Sequence, residues 1–292
     1  MCRLFGMSGV PAQVEATFWL LEARDSLAMQ SRREPDGTGL GIFEDGKARV
    51  MKQAIAAYED RAFAEAARHV RSTTFIAHVR FASTGGLDPK NTHPFALQNR
   101  LFAHNGVIGD LERLETQLGS YRRLVGGDTD SERFFALVTR ATDDHGGDVG
   151  AGIVAAAAWV AANLPLYALN VILTTPDELW ALRYPATHEL WVLDRGPGGP
   201  HGSRHLELAS AAGRMRVRAG DLARAPAVVL ASERMDENPG WRLLDPGELL
   251  HVDRHRRIHS RIALPNPPAH PLTLADLEPH AAASQREPGG GA

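Results

Sequence analysis

The sequence predicts a layered α+β fold with largely antiparallel sheets. Three observations point there. Short apolar or β-branched runs alternate irregularly with helical stretches, without the steady strand–helix–strand rhythm of a parallel sheet. Hairpin signals occur in both halves, and from Tyr167 onward strand-like runs follow one another across turns. The 292 residues, 43% hydrophobic and 23% charged, suffice for a sizeable core and suit one large or two small domains.

In chain order, residues 4–9 are short, apolar and glycine-ended, which reads as a buried strand. Residues 14–30 carry Phe18, Leu21 and Leu27 at helical spacing and are expected to form a helix. Residues 39–43 and 48–53 flank Glu44-Asp45-Gly46-Lys47, a hairpin with Asp-Gly at its turn. Residues 60–70 read as a helix and 73–81, β-branched and aromatic, as a strand. Residues 100–104 read as a short strand ending at the turn pair Asn105-Gly106. Three helices are expected over 110–118, 130–143 and 149–163, the last closed by Pro165. Strands are expected at 167–175, 179–184, 189–193, 206–209, 227–232 and 249–252. One domain is expected over 1–264, followed by a Pro/Ala/Gly-rich stretch, 265–292, that reads as a flexible tail.

Composition excludes several classes. A formal net charge of −3 with dispersed arginines offers no basic face to nucleic acid or a membrane surface. No run reaches the roughly 18 apolar residues of a membrane span. Met1-Cys2-Arg3-Leu4-Phe5-Gly6 lacks the apolar core and cleavage site of a signal peptide, so a cytoplasmic location is expected. A single cysteine rules out internal disulfides and a cysteine zinc cluster, and a free thiol suits a reducing compartment. His251, His255 and His259 are four residues apart, but Leu249-Leu250 and Arg256-Arg257-Ile258 read as the arms and turn of a hairpin. No metal and no cofactor is expected.

That one cysteine is Cys2. Removal of Met1 would place a thiol and a free α-amine on the same carbon. The amine has a reference pKa of about 7.7–8.0, so it can be a neutral base near physiological pH. Only the thiolate attacks, and an N-terminal amine can activate its own side-chain nucleophile. Polar clusters recur at strand ends and in loops: Pro35-Asp36-Gly37-Thr38-Gly39, His78-Val79-Arg80, Asn91-Thr92-His93-Pro94, His104-Asn105-Gly106 and Thr129-Asp130-Ser131-Glu132.

Taken with Cys2, these motifs resemble, in order and over about the first 135 residues, those of class II glutamine amidotransferases. These are the cysteine branch of the N-terminal nucleophile hydrolases. The resemblance implies a four-layer αββα sandwich and an N-terminal cysteine that opens the side-chain amide of glutamine through a γ-glutamyl thioester. It implies Cys2 as nucleophile, Arg80 and Asp130 as substrate anchors, and Asn105 with Gly106 as oxyanion hole.

The chemistry agrees. A planar guanidinium suits the glutamine carboxylate, a carboxylate suits its ammonium, and an amide N–H pair suits the developing oxyanion. Ser83, Thr84 and His93 are further candidates. Phe81-Ala82-Ser83-Thr84 departs from the family, which often carries Trp or Tyr first. Residues 83–92, with Gly85 and Gly86, could form a mobile cover.

Other readings compete residue by residue. Arg80 alone could be a surface ion-pair residue. Asp130 alone could be a helix N-cap, a job Asp128 or Thr129 could share. His93 and His104 beside strand ends read as structural, because the α-amine already fills the base role.

After Leu164 no nucleotide-binding loop or synthase-sized region follows. The chain is therefore similar to stand-alone bacterial members of the family. A glutaminase passing ammonia to a separate synthase is the first reading. A hydrolase of another γ-glutamyl compound, like that of ergothioneine assembly, is the second. A non-catalytic glutamine sensor ranks last because no element of the site is missing.

Overall fold

The computed structural model describes residues 2–81, 86–197, 207–209, 216–218 and 225–285. Arg3–Ser8 is buried along its whole length and pairs antiparallel on both sides, with Thr74–Arg80 and with Ala227–Ala231. A strand covered on both faces has no polar side to alternate, which explains its continuous apolar run. It is the central strand of a seven-stranded sheet. The order is Arg242–Leu243, Trp191–Arg195, Ala227–Ala231, Arg3–Ser8, Thr74–Arg80, Gly37–Glu44 and Lys47–Gln53.

A second sheet runs Ile258–Ile262, Glu248–Val252, Leu179–Leu182, Pro165–Thr174, Arg100–Ile108 and Phe95–Leu97. His270–Pro271 adds a short parallel pairing to the start of Pro165–Thr174. The two sheets share a core that includes Leu4 and Ile76 from the first and Leu101, Ala103 and Ile172 from the second. Gly6 allows the sheets to approach, since a Cβ there would meet Ile172 Cγ2 at 2.8 Å.

The period-two alternation of the strands sends the other side chains outward. Phe102 and Ile108 join a core with Phe134, Ile153 and Val160 from the helices Asp130–Asp144 and Val149–Asn163. Phe5, Met7 and Val79 join Trp19, Leu27 and Phe63, which lie in the turn Phe18–Glu22 and the helices Leu27–Gln30 and Arg61–His69. Helices, sheet, sheet, helices: this is the four-layer α+β sandwich.

Three expectations change. Residues 14–30 are not one helix but a two-residue strand, Val14–Glu15, a single wide turn, Phe18–Glu22, and a four-residue helix, Leu27–Gln30. Phe18, Trp19 and Leu20 are buried in succession, which no single helix face allows. Asn105-Gly106 is not a turn, because Arg100–Ile108 continues straight through it, paired with Pro165–Thr174.

The stretch after Leu264 is also not simply a loose tail. Tyr184 Oη donates to the Asn266 carbonyl at 3.0 Å, His270–Pro271 pairs, and the helix Pro279–Gln285 buries Ala281 and Ala282. Residues 286–292 lie outside the described residues. No helix among the described residues is long and apolar enough to cross a membrane.

Candidate active site

Cys2 stands directly before Arg3–Ser8, so the central strand of the first sheet fixes its position. It is 8% exposed. Its Sγ donates to the Phe81 carbonyl at 3.3 Å and accepts the Phe81 N–H at 3.3 Å. Burial pushes the thiol up to about 11, helped by the Glu34 carboxylate and opposed by the Phe81 hydrogen bond and the Arg80 charge. Such a thiol is protonated near neutral pH and needs a base before it can attack.

Arg80 ends the neighbouring strand, opposite Gly37. It is buried, its Nη1 donates to the Gly86 carbonyl at 3.1 Å, and its own carbonyl accepts the Asp36 N–H at 2.9 Å. Burial lowers its pKa, while Cys2, Asp36 and Asp130 hold it up. A guanidinium starts so high that it stays charged. Cys2, Asp36 and Asp130 thus lie within its field.

Asn105 comes from the facing sheet. Its Nδ2 donates to the Cys2 carbonyl at 3.0 Å, a bond that ties the two sheets together at this end. Its Oδ1 is buried and accepts no hydrogen bond among the described residues. Gly106 passes so close to the next strand that any side chain would strike the Ala168 carbonyl and the His104 ring. That close approach, rather than a turn, is why glycine stands here.

Asp130 opens the helix Asp130–Asp144 but does not cap it. Thr129 does, its Oγ1 accepting the Glu132 N–H at 3.2 Å. The Asp130 carboxylate is buried and accepts from Ser131 N at 2.8 Å, Ser131 Oγ at 3.3 Å and Ile108 N at 3.0 Å. The Ile108 bond ties the helix start to the strand that carries Asn105.

Three histidines lie beneath this cluster. His78 and His93 are buried with ring centroids 4.3 Å apart, and His93 packs edge-on against Phe95 at 4.7 Å. Burial takes His78 down to about 3 and His93 well below its ordinary value. Burial lowers His104 too, against the pull of Asp130. All three are neutral at pH 7. His104 Nδ1 meets Ser131 Oγ at 2.9 Å and its Nε2 meets the Ala168 carbonyl at 3.4 Å.

The structure brings together Cys2, Arg80, Asn105, Gly106 and Asp130, with His93 one layer beneath. Ser83 and Thr84 lie outside the described residues, as does Gly85 of the expected cover. Three residues from the motif stretches take parts that their sequence pattern does not announce. Ser131 links His104 to Asp130. Asn91 is fully buried, with Nδ2 on the Gly86 carbonyl at 3.3 Å and Oδ1 accepting the Asp128 N–H at 2.8 Å, so it holds Gly86, which Arg80 also meets, to the loop before Asp130. Phe81 holds Sγ through its backbone, which no side-chain motif announces.

Elsewhere, His251 and His259 face each other across the antiparallel pair Glu248–Val252 and Ile258–Ile262, and the His251 ring stacks on Trp180 at 4.7 Å. Among the described residues no group of three His, Cys, Asp or Glu side chains is arranged to hold a metal ion.

The chain resembles known proteins over most of its length. An uncharacterized protein of Methanocaldococcus jannaschii is 28% identical over 291 residues, covering 96% of this chain and 77% of its own. The gamma-glutamyl-hercynylcysteine sulfoxide hydrolase of Mycobacterium tuberculosis is 29% identical over 252 residues, covering 82% of this chain and 88% of its own. Among solved structures, the glutamine phosphoribosylpyrophosphate amidotransferase of B. subtilis superposes with a TM-score of 0.62 at 20% identity over 91% of this chain. That likeness shows the fold, and the match spans 50% of the B. subtilis chain. The sequence pattern shared by class II glutamine amidotransferases runs over residues 1–271, nearly the whole length, and the chain therefore belongs to that family.

Proposed function

We propose that the chain, once Met1 is removed, hydrolyses the side-chain amide of glutamine by nucleophilic catalysis at Cys2. The observation that carries this reading is the meeting of Cys2 with Asn105 across the two sheets, 3.0 Å from amide nitrogen to Cys2 carbonyl, beside the buried Arg80.

In this reading Arg80 takes the glutamine α-carboxylate and Asp130 its α-ammonium, leaving the side-chain amide over Sγ. The freed Cys2 α-amine takes the thiol proton. The thiolate forms a bond to the amide carbon, and the oxyanion collects hydrogen bonds from Asn105 Nδ2 and the Gly106 N–H. The protonated amine then returns its proton to the departing nitrogen, so ammonia leaves and a γ-glutamyl thioester remains. Water attacks that thioester, releasing glutamate and restoring the thiol. With the thiol held near 11 while Met1 blocks the amine, maturation supplies the missing base.

The ammonia would pass to a separate synthase. A cytoplasmic setting suits a free nucleophilic thiol.

One observation favours a second reading. The relative from M. tuberculosis acts, by its name, on a γ-glutamyl conjugate, and it matches over 88% of its own length. The same Cys2 chemistry would then expel a larger group than ammonia.

The test uses protein whose intact mass shows Met1 removed. Ammonia release from glutamine is measured beside glutamate release from a panel of γ-glutamyl amides and sulfoxides. The first reading expects ammonia, and its absence with glutamate release from a conjugate selects the second. Cys2→Ala is expected to lose at least about 10³-fold in kcat/KM on whichever substrate works. Undiminished activity in that variant sinks both.

A further inference from the structure

Beyond His270–Pro271 the segment after Leu264 docks on neighbours of the site residues. Leu272 N donates to the Leu166 carbonyl at 2.9 Å, continuing the pairing of His270–Pro271. Leu272 and Leu277 pack on Val107, Tyr167 and Ala168. Val107 follows Gly106, and the Ala168 carbonyl is the group that leaves no room for a side chain there.

The His280 ring then stacks on Phe81, centroids 6.0 Å apart and planes 27° apart. Phe81 is the residue whose backbone holds Sγ. Finally His188 Nε2 donates to Gln285 Oε1 at 2.7 Å, with both side chains buried. Burial takes His188 down to about 4, so this bond is made by a neutral imidazole at pH 7. The His188 carbonyl in turn accepts from Asn170, which stands opposite Asn105.

The contacts of Leu272, Leu277 and His280 thus fall beside Gly106 and Cys2. Ala281 and Ala282 let the helix Pro279–Gln285 lie close against the body. That helix lies beyond the 1–271 stretch that carries the family pattern.

Resting on the γ-glutamyl reading above, we propose that residues 272–285 wall one side of the Cys2 cleft and limit the size of the group on the γ-carbonyl, with His280 as the specificity-determining residue. The seated wall admits the amide of glutamine, whose leaving group is ammonia. A bulky γ-glutamyl amide requires it to be displaced. His280 touches the residue that positions the nucleophile, and the Gln285–His188 bond keeps it seated.

Because Cys2 is the sole cysteine, its alkylation reports access to the cleft directly. Full-length protein is labelled with iodoacetamide and with fluorescein maleimide, and the ratio of the two rates cancels any change in thiol ionisation. His280→Ala and, separately, Gln285→Ala are expected to raise the maleimide-to-iodoacetamide ratio at least about tenfold. They are expected to raise kcat/KM for γ-glutamyl-p-nitroanilide relative to glutamine by a similar factor.

An unchanged labelling ratio in both variants overturns the wall, whether or not glutamine is still hydrolysed. A raised ratio with no turnover of either substrate by any variant keeps the wall and removes the γ-glutamyl reading instead.

Discussion

At the scale of single residues, Gly106 and the Asn105 amide decide how closely the groups of the proposed site can approach. Gly106 is the sharpest case. Its neighbours leave no space for a methyl group, so Gly106→Ala must push the strand away from Ala168 and tilt Asn105 with it. Loss of an aligned oxyanion donor typically costs about 10²–10³ in kcat. We expect a loss of that size on the working substrate, with KM little changed, measured by steady-state kinetics.

The motif around Asn105 was legible from residue types, but its backbone form was not. Asn-Gly pairs favour turns locally. Here two flanking strands hold the pair extended, and long-range pairing overrides the local preference. The carboxylate at 130 shows the same limit. The residue types leave the cap open among Asp128, Thr129 and Asp130; Thr129 takes it, and Asp130 faces Ile108 and Ser131.

At the scale of elements, strands and helices act as mounts. The hairpin of Gly37–Glu44 with Lys47–Gln53 was readable because Asp45 and Gly46 both take positive φ, 50° and 72°, as a tight two-residue turn requires. Residues 14–30 were not, because Trp19 and Leu20 are buried by their packing partners rather than by any helical face. The helix Asp130–Asp144 shows how a mount can be tested. Removing its cap by Thr129→Ala is expected to cost about 1 kcal/mol, read as a lower Tm. It should also raise KM for glutamine more than it lowers kcat, because the fraying turn carries the proposed ammonium anchor rather than the proposed nucleophile. Equal KM in the variant and the wild type would separate Asp130 from substrate binding.

At the scale of the whole molecule, the sandwich buries several neutral histidines, and this sets its response to acid. His78 is held down to about 3 and His188 to about 4, in each case chiefly by burial. In the unfolded chain both titrate near 6.5. As pH falls below 6.5 the unfolded chain binds protons that the folded one refuses, so stability is lost progressively toward pH 4. Each such histidine accounts for about 2 kcal/mol between neutral pH and pH 5. Tm is therefore expected to drop steeply from pH 7 to 5, and His78→Gln should make that slope shallower. An unaltered slope in the variant would show that His78 is not a source of the acid sensitivity. None of this was legible in the sequence, where a histidine beside a strand end gives no sign of how deeply two sheets will cover it.

The bond between Asn105 and the Cys2 carbonyl has one more consequence. Cys2 and the Asn105 amide that faces it hang from opposite slabs of the sandwich, so the proposed site acts as a gauge of the gap between them. A slackening too small to disturb either slab's own hydrogen-bonded ladder still separates the two groups. On warming, turnover should therefore fade while the circular dichroism of strands and helices still looks intact, making the chemistry the first casualty of a loosening core.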